Sequence, residues 1–323
     1  MEHCFDLLTS GITPEGVLQQ LINGIALGSI YALIALGYSM VYGVLELINF
    51  AHGDVFMIGT FIIFGVVQAT HAGPEMTFPL LLAVLLLGTV LAMVACAALG
   101  FAIEKIAYRP LRNAPRLAPL ISAIGVSFVL EAWVTTYVSD RNHALPTLIR
   151  GEWPIYGYVS VTNVQVLMVI SSILMMVGLQ FLVRRTRLGR GMRAVAQNRE
   201  AAALMGVNLD SVISFTFVIG SALAGAAGLL WVLNYSTSNS IGFLLGLKAF
   251  TAAVIGGIGN IPGAMLGGFF LGLAEALGAA YISNISCGFF SSSYQSVFAF
   301  ALLILILVFR PSGILRERVS ERA

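Results

Sequence analysis

Stretches of roughly twenty apolar residues recur along this sequence between short polar breaks, and no other feature restricts its fold so strongly. The hydrocarbon core of a bilayer, about 30 Å thick, offers no water to backbone N–H and C=O groups, so a spanning segment satisfies them internally as a helix. Nine such spans can be drawn, at residues 17–45, 55–69, 78–103, 118–138, 164–183, 212–233, 243–258, 263–283 and 297–308. With 58% hydrophobic and only 10% charged residues, water is not the solvent for most of the chain. Soluble domains carry roughly 25% charged residues. The expectation is an all-α polytopic membrane protein of eight or nine transmembrane helices forming one domain over 1–323. The short spans 55–69, 243–258 and 297–308 are the candidates for broken or re-entrant segments among these nine.

The placement of charge gives the topology. Of the 17 Lys and Arg residues, 14 fall in three clusters, each at the end of an apolar span. They are Lys105, Arg109, Arg112 and Arg116; Arg184, Arg185, Arg187, Arg190, Arg193 and Arg199; and Arg310, Arg316, Arg318 and Arg322. The positive-inside rule makes all three cytoplasmic, and nine alternating crossings agree. The C-terminus is then cytoplasmic and the N-terminus, with Glu2, Asp6 and Glu15, periplasmic. That N-terminus lacks the basic start of a secretory signal, so the first span is expected to stay in the protein. The first span is long and contains Gly24, Gly28 and Gly37, which predicts a tilt or a break. The longest outer connection, 139–163, is too short for a receptor domain, so a soluble substrate receptor is another chain.

Several functions are excluded. The two lysines, Lys105 and Lys248, follow Glu104 and Leu247, so no Gly-Lys-Ser/Thr phosphate loop exists and this chain cannot hydrolyse ATP by itself. His3, His52, His71 and His143, with Cys4, Cys96 and Cys287, have no metal-ligand spacing, and no Ser-His-acid arrangement is present. The densest glycine run, from Gly256 through Gly257, Gly259, Gly263, Gly267 and Gly268 to Gly272, reads as helix packing around a tight turn or as a glycine-lined path. Its spacing does not fit a dinucleotide fingerprint. Residues 28–37 (GSIYALIALG) weakly echo 220–228 (GSALAGAAG), as the halves of an inverted repeat would.

Three places can carry function. Residues 184–210 include a short amphipathic helix after Gly191 that presents Met192, Val195, Leu204 and Met205 and stops at Gly206. Such a helix either docks into a partner's groove or lies on lipid headgroups. Asn49, Phe50, Ala51, His52, Gly53 and Asp54 form a polar knot between the first two spans, readable as helix capping by Asn49 or Asp54 or as a gate. Glu131, Lys248 and Glu275 are ionisable residues inside spans, where charge is expensive and marks function by default. Lys248 and Glu275 flank the turn at Asn260 at nearly equal distances, and antiparallel helices would pair them.

These blocks also carry a family resemblance. Residues 28–60 (GSIYALIALGYSMVYGVLELINFAHGDVFMIGT), 104–112 (EKIAYRPLR), 187–206 (RLGRGMRAVAQNREAAALMG), 248–268 (KAFTAAVIGGIGNIPGAMLGG) and 302–315 (LLILILVFRPSGIL) resemble the branched-chain amino acid ABC permeases, in order and across the chain. The resemblance implies an ABC importer permease fold and transport of leucine-like amino acids, with sister permeases for urea, amides or other amino acids as the neighbouring alternative. It implies these partners: a homologous second permease subunit, two cytoplasmic ATPases that hold ATP and magnesium, a periplasmic amino-acid-binding protein, and the bacterial inner membrane. No cofactor is expected in this chain. Arg187, Gly189, Arg190, Glu200, Ala201, Ala202 and Gly206 match the cytoplasmic loop that couples such permeases to their ATPases. Tyr31, Tyr42, Asn49, His52 and Glu131 are the candidates for a path or gate, and Lys248 and Glu275 for an intramembrane ion pair.

Overall fold

A computed structural model describes residues 13–112, 114–115, 117–286, 295–310 and 313–315. The expectations placed on Glu2, His3, Cys4, Asp6, Arg116, Cys287, Arg316, Arg318 and Arg322 lie outside the described residues. Helix dominates: α1 Pro14–Leu45, α2 His52–Ala69, α3 Phe78–Ile103, α4 Leu117–Tyr137, α5 Asn163–Arg185, α6 Arg187–Gln197, α7 Arg199–Leu204, α8 Leu209–Val232, α9 Ile241–Gly256, α10 Ile261–Ile285 and α11 Gln295–Phe309. Seven of these are long and apolar enough to cross a bilayer, whereas α9 and α11 are shorter, matching two of the three short spans. The third, α2, reaches 18 residues by starting at His52 rather than at Val55.

Helix α1 begins at an N-cap, Thr13, whose hydroxyl accepts from the Gly16 amide at 3.1 Å, with Pro14 in the first turn. It then runs unbroken for 32 residues, about 48 Å at 1.5 Å per residue. The break expected from Gly24, Gly28 and Gly37 is therefore absent, and those glycines serve contact instead. A Cβ on Gly24 or Gly28 would stand 2.8 and 2.7 Å from the Cα atoms of Leu273 and Phe269 on α10. Gly268 and Gly272 answer against Ala32 and Gly28. Apolar side chains gain little by leaving lipid for each other, so such backbone-close packing is what holds membrane helices together. The run from Gly256 to Gly272 is accordingly packing: Gly256 lies on Gly263 and Gly267 on Ala252 across the α9–α10 turn.

The chain re-enters the bundle twice. Although α1 continues to Leu45, His52 at the start of α2 packs beside Gly37 and Tyr38. Residues 46–51 thus climb back about two helical turns before α2 starts. From the opposite end, 233–240 descends until the hydroxyls of Thr237 and Thr60 meet at 2.5 Å, and α9 starts there. The first turns of α2 and α9 touch, a Cβ on Gly242 standing 2.9 Å from the Cα of Asp54.

The two long helices preceding these half-helices run in opposite directions. Arg199 donates to the Leu45 carbonyl at the C-terminal end of α1, and Arg109 and Arg112 pair with Asp210 at the N-terminal end of α8. Each of the two units is a long helix, a re-entrant turn and a shorter helix of opposite polarity, an inverted arrangement that the echo between 28–37 and 220–228 foreshadows. Gly313, beside Arg310, packs on Gly257, and a Cβ on Gly43 near the end of α1 would stand 3.4 Å from the Cα of Gly259. The described members of all three basic clusters therefore share one end of the bundle. At the other end the 139–163 connection holds a hairpin, β1 Glu152–Tyr156 and β2 Val159–Thr162, antiparallel with a bulge, that sequence patterning did not reveal. Its Ser160 amide donates to Gln19 on α1 at 2.9 Å.

Candidate functional site

One buried polar group joins α1, α9 and α10. Glu275 on α10 is fully buried, and Lys248 on α9 donates to its Oε1. The Tyr31 hydroxyl on α1 donates to Oε2 at 2.7 Å, and Nζ of Lys248 lies 5.9 Å from the Tyr31 ring centroid. Both carboxylate oxygens are therefore engaged, and the ammonium faces an aromatic ring. The structure thus brings Tyr31, a candidate for the path, into the Lys248–Glu275 contact.

A different environment surrounds the polar knot. The N-cap of α2 is Ala51, which makes no side-chain cap, so neither Asn49 nor Asp54 acts as the expected cap. Instead both are buried, together with His52. The Tyr108 hydroxyl donates to the Ile48 carbonyl at 3.1 Å and to Asn49 Oδ1 at 3.3 Å. The His52 ring stands edge-on to Tyr38 at 4.8 Å. Asp54 accepts from the Ser127 hydroxyl on α4 through Oδ2, while its Oδ1 has no hydrogen-bond partner among the described residues. Glu131, one turn beyond Ser127 on α4, is partly buried and within electrostatic reach of Asp54. Tyr42, the remaining candidate, is only partly buried on the last turns of α1. Sequence reasoning read Asp54 as a cap or as part of a gate and passed over Ser127. Their relation depends on where α4 packs, which no local pattern encodes.

At the arginine end, Thr186 turns the chain from α5 into α6 and caps it, its hydroxyl accepting from the Gly189 amide at 3.1 Å. Gly189 is buried against the Leu182 and Val183 carbonyls, where a side chain has no room. The single helix expected after Gly191 is two, because Asn198 leaves α6 in extended conformation and caps α7, accepting from the Ala201 amide at 3.0 Å. Met192, Val195 and Ala202 face inward, whereas Arg187, Arg190, Glu200 and Ala201 are exposed. Leu204 and Met205 do not pack but stand 88% and 85% exposed, next to Gly206 at φ +83°. An open cleft of about 440 Å³ lies beside this segment, between the end of α1 (Val44, Leu45), Arg112, and the α6–α7 junction (Asn198, Arg199). Glu104, fully buried, accepts from Arg112 and from Ser214 at 2.7 Å, which ties the end of α3 to the start of α8.

Residues 20–307 match the protein family described as branched-chain amino acid transport system / permease component. The chain is 48% identical to the high-affinity branched-chain amino acid transport system permease protein LivH of Escherichia coli (strain K12), over 94% of this chain and 97% of that one. It is 46% identical, over the same shares, to the BraD permease protein of Pseudomonas aeruginosa, whose name describes the same system. A probable LivH of Methanocaldococcus jannaschii is 25% identical over 90% of each chain.

Proposed function

This chain belongs to the branched-chain amino acid transport system permease family, and from that premise we propose that it is one membrane-spanning permease subunit of an ABC importer for leucine-like amino acids. It is a transport subunit and not an enzyme. The observation that carries the reading is the match along nearly the whole chain to permeases named for high-affinity branched-chain amino acid transport. The fold supports it physically. Two half-helices meeting in the depth of an inverted pair are how transporters place a polar site where lipid would otherwise forbid irregular backbone.

In this proposal a homologous permease completes the path, two cytoplasmic ATPases bind ATP and magnesium, and a periplasmic binding protein delivers the amino acid. The chain itself, one domain over 1–323, holds no cofactor and has no phosphate loop. The arginine-rich end is cytoplasmic, which places the N-terminus of α1 at the periplasmic face. The coupling loop is 184–210. Arg187, Arg190, Glu200 and Ala201 present an exposed face with Leu204 and Met205 to the ATPase, while Gly189, Ala202 and Gly206 set the backbone that carries it. Nucleotide-driven movement of that loop shifts α5 and α8, to which it is directly connected, and so opens the junction of half-helices alternately to either side. Tyr42, Asn49, His52 and Glu131 line or gate that route, whereas Tyr31 is held in the Lys248–Glu275 contact.

The test is uptake of radiolabelled leucine by proteoliposomes holding this chain, its sister permease and the ATPases, with the binding protein outside. Uptake that needs both ATP and the binding protein is expected. ATP hydrolysis stimulated by a binding protein loaded with urea or an amide, without leucine entry, would move the substrate to another branch of the family. Uptake that persists after ATP depletion would overturn the importer reading.

A further inference from the structure

Three carboxylates of the described residues are buried completely: Glu104, Glu275 and Asp54. Glu104 has Arg112 and Glu275 has Lys248, whereas none of the four ion pairs of the described residues includes Asp54. Ser127 donates its hydroxyl to Asp54 and the backbone at Gly242 packs on it, while the phenol of Tyr38 and the carboxylate of Glu131 act on it through charge without a hydrogen bond. The first turn of α9 contributes only a fraction of a positive charge there, about half a unit at most. A buried carboxylate without a cation is costly and persists where it has a task.

Immediately above this acidic pair, along the same two helices, lies an apolar cluster distinct from the main core. It consists of Met57 and Phe61 on α2 and Val134 on α4, with Ile58 and Ile241 packed against them. Ser127, Glu131 and Val134 fall on one stripe of α4, so the hydroxyl, carboxylate and apolar surface follow one another along one seam. Helix α4 covers this seam from the outside of the bundle, with much of its own surface exposed in the described chain.

We propose that Asp54, with Glu131 beside it, receives the α-ammonium group of the transported amino acid as α4 parts from α2, while Met57, Phe61 and Val134 take the apolar side chain. A free hydrophobic amino acid carries an ammonium, a carboxylate and a branched hydrocarbon chain, and this seam offers partners for the first and the last of these. When α4 closes, Ser127 takes the place of the ammonium as hydrogen-bond donor to Oδ2, which keeps the emptied seam shut.

This inference rests on the transport function proposed above, and the assembled importer in proteoliposomes separates the two. Failure of the wild type to take up leucine sinks the function itself. Given wild-type uptake, Asp54→Asn is expected to lower it at least about tenfold, the loss of one charge-assisted hydrogen bond. ATP hydrolysis stimulated by the leucine-loaded binding protein should stay within about twofold, and Asp54→Glu should recover part of the uptake. Glu131→Gln should lower uptake less, with hydrolysis again retained. Wild-type uptake by Asp54→Asn overturns the proposal, as does an equal loss of uptake and hydrolysis in both Asp54 variants. Should Asp54→Asn fail to assemble, Glu131→Gln decides: reduced uptake with hydrolysis retained supports the seam, and unchanged uptake removes it.

Discussion

Glu275 and Asp54 are both carboxylates sealed inside the same helical bundle, yet one has every oxygen engaged and a lysine against it while the other has a lone serine donor. The difference separates two uses of charge in a membrane. A satisfied pair locks α1, α9 and α10 together and leaves nothing for a ligand. A carboxylate short of a cation adds no such lock but attracts one. Stability and transport should therefore respond oppositely at the two places.

The largest effect is expected from splitting the locked pair. Lys248→Met alone takes the cation away from the buried Glu275 carboxylate and should cost about 3–5 kcal/mol, read as a lowered thermal midpoint or loss of folded protein after detergent extraction. Exchanging the two charges, Lys248→Glu with Glu275→Lys, should restore much of it, and no restoration would break the comparison. Next, Gly28→Leu forces α1 from α10 where a Cβ alone would stand 2.7 Å from the Cα of Phe269. Overpacking of this kind costs about 2–3 kcal/mol, measurable in the same melt. Tyr31→Phe removes one donor to Glu275 and should cost about 1–2 kcal/mol. Arg109→Ala, at a half-exposed pair with Asp210, should shift stability by only about 0–1 kcal/mol, and less in high salt.

Much of the architecture was legible in the sequence because bilayer thickness imposes it. The spans at 78–103 and 164–183 sit within helices Phe78–Ile103 and Asn163–Arg185, and two of the short spans are the short helices α9 and α11. The meeting of Lys248 with Glu275 followed from counting residues on either side of one tight turn, which is local information. What escaped depended on distant packing. Nothing near Asp54 says that residues 46–51 climb back into the bundle or that Ser127, 73 positions away, will meet it. The glycines of α1 read equally as hinges or contacts until α10 is beside them. Within 187–206 the arginines and glycines marked a special segment, but the break at Asn198 and the outward turn of Leu204 and Met205 reflect which face the bundle covers.

The most direct test of the contrast measures thermal midpoint and leucine uptake together for Asp54→Asn and Glu275→Gln in the assembled importer. The account predicts that Glu275→Gln lowers the midpoint, while Asp54→Asn leaves stability within about 1 kcal/mol of wild type or raises it and loses uptake. A destabilised Asp54→Asn that still imports leucine at the wild-type rate would contradict it.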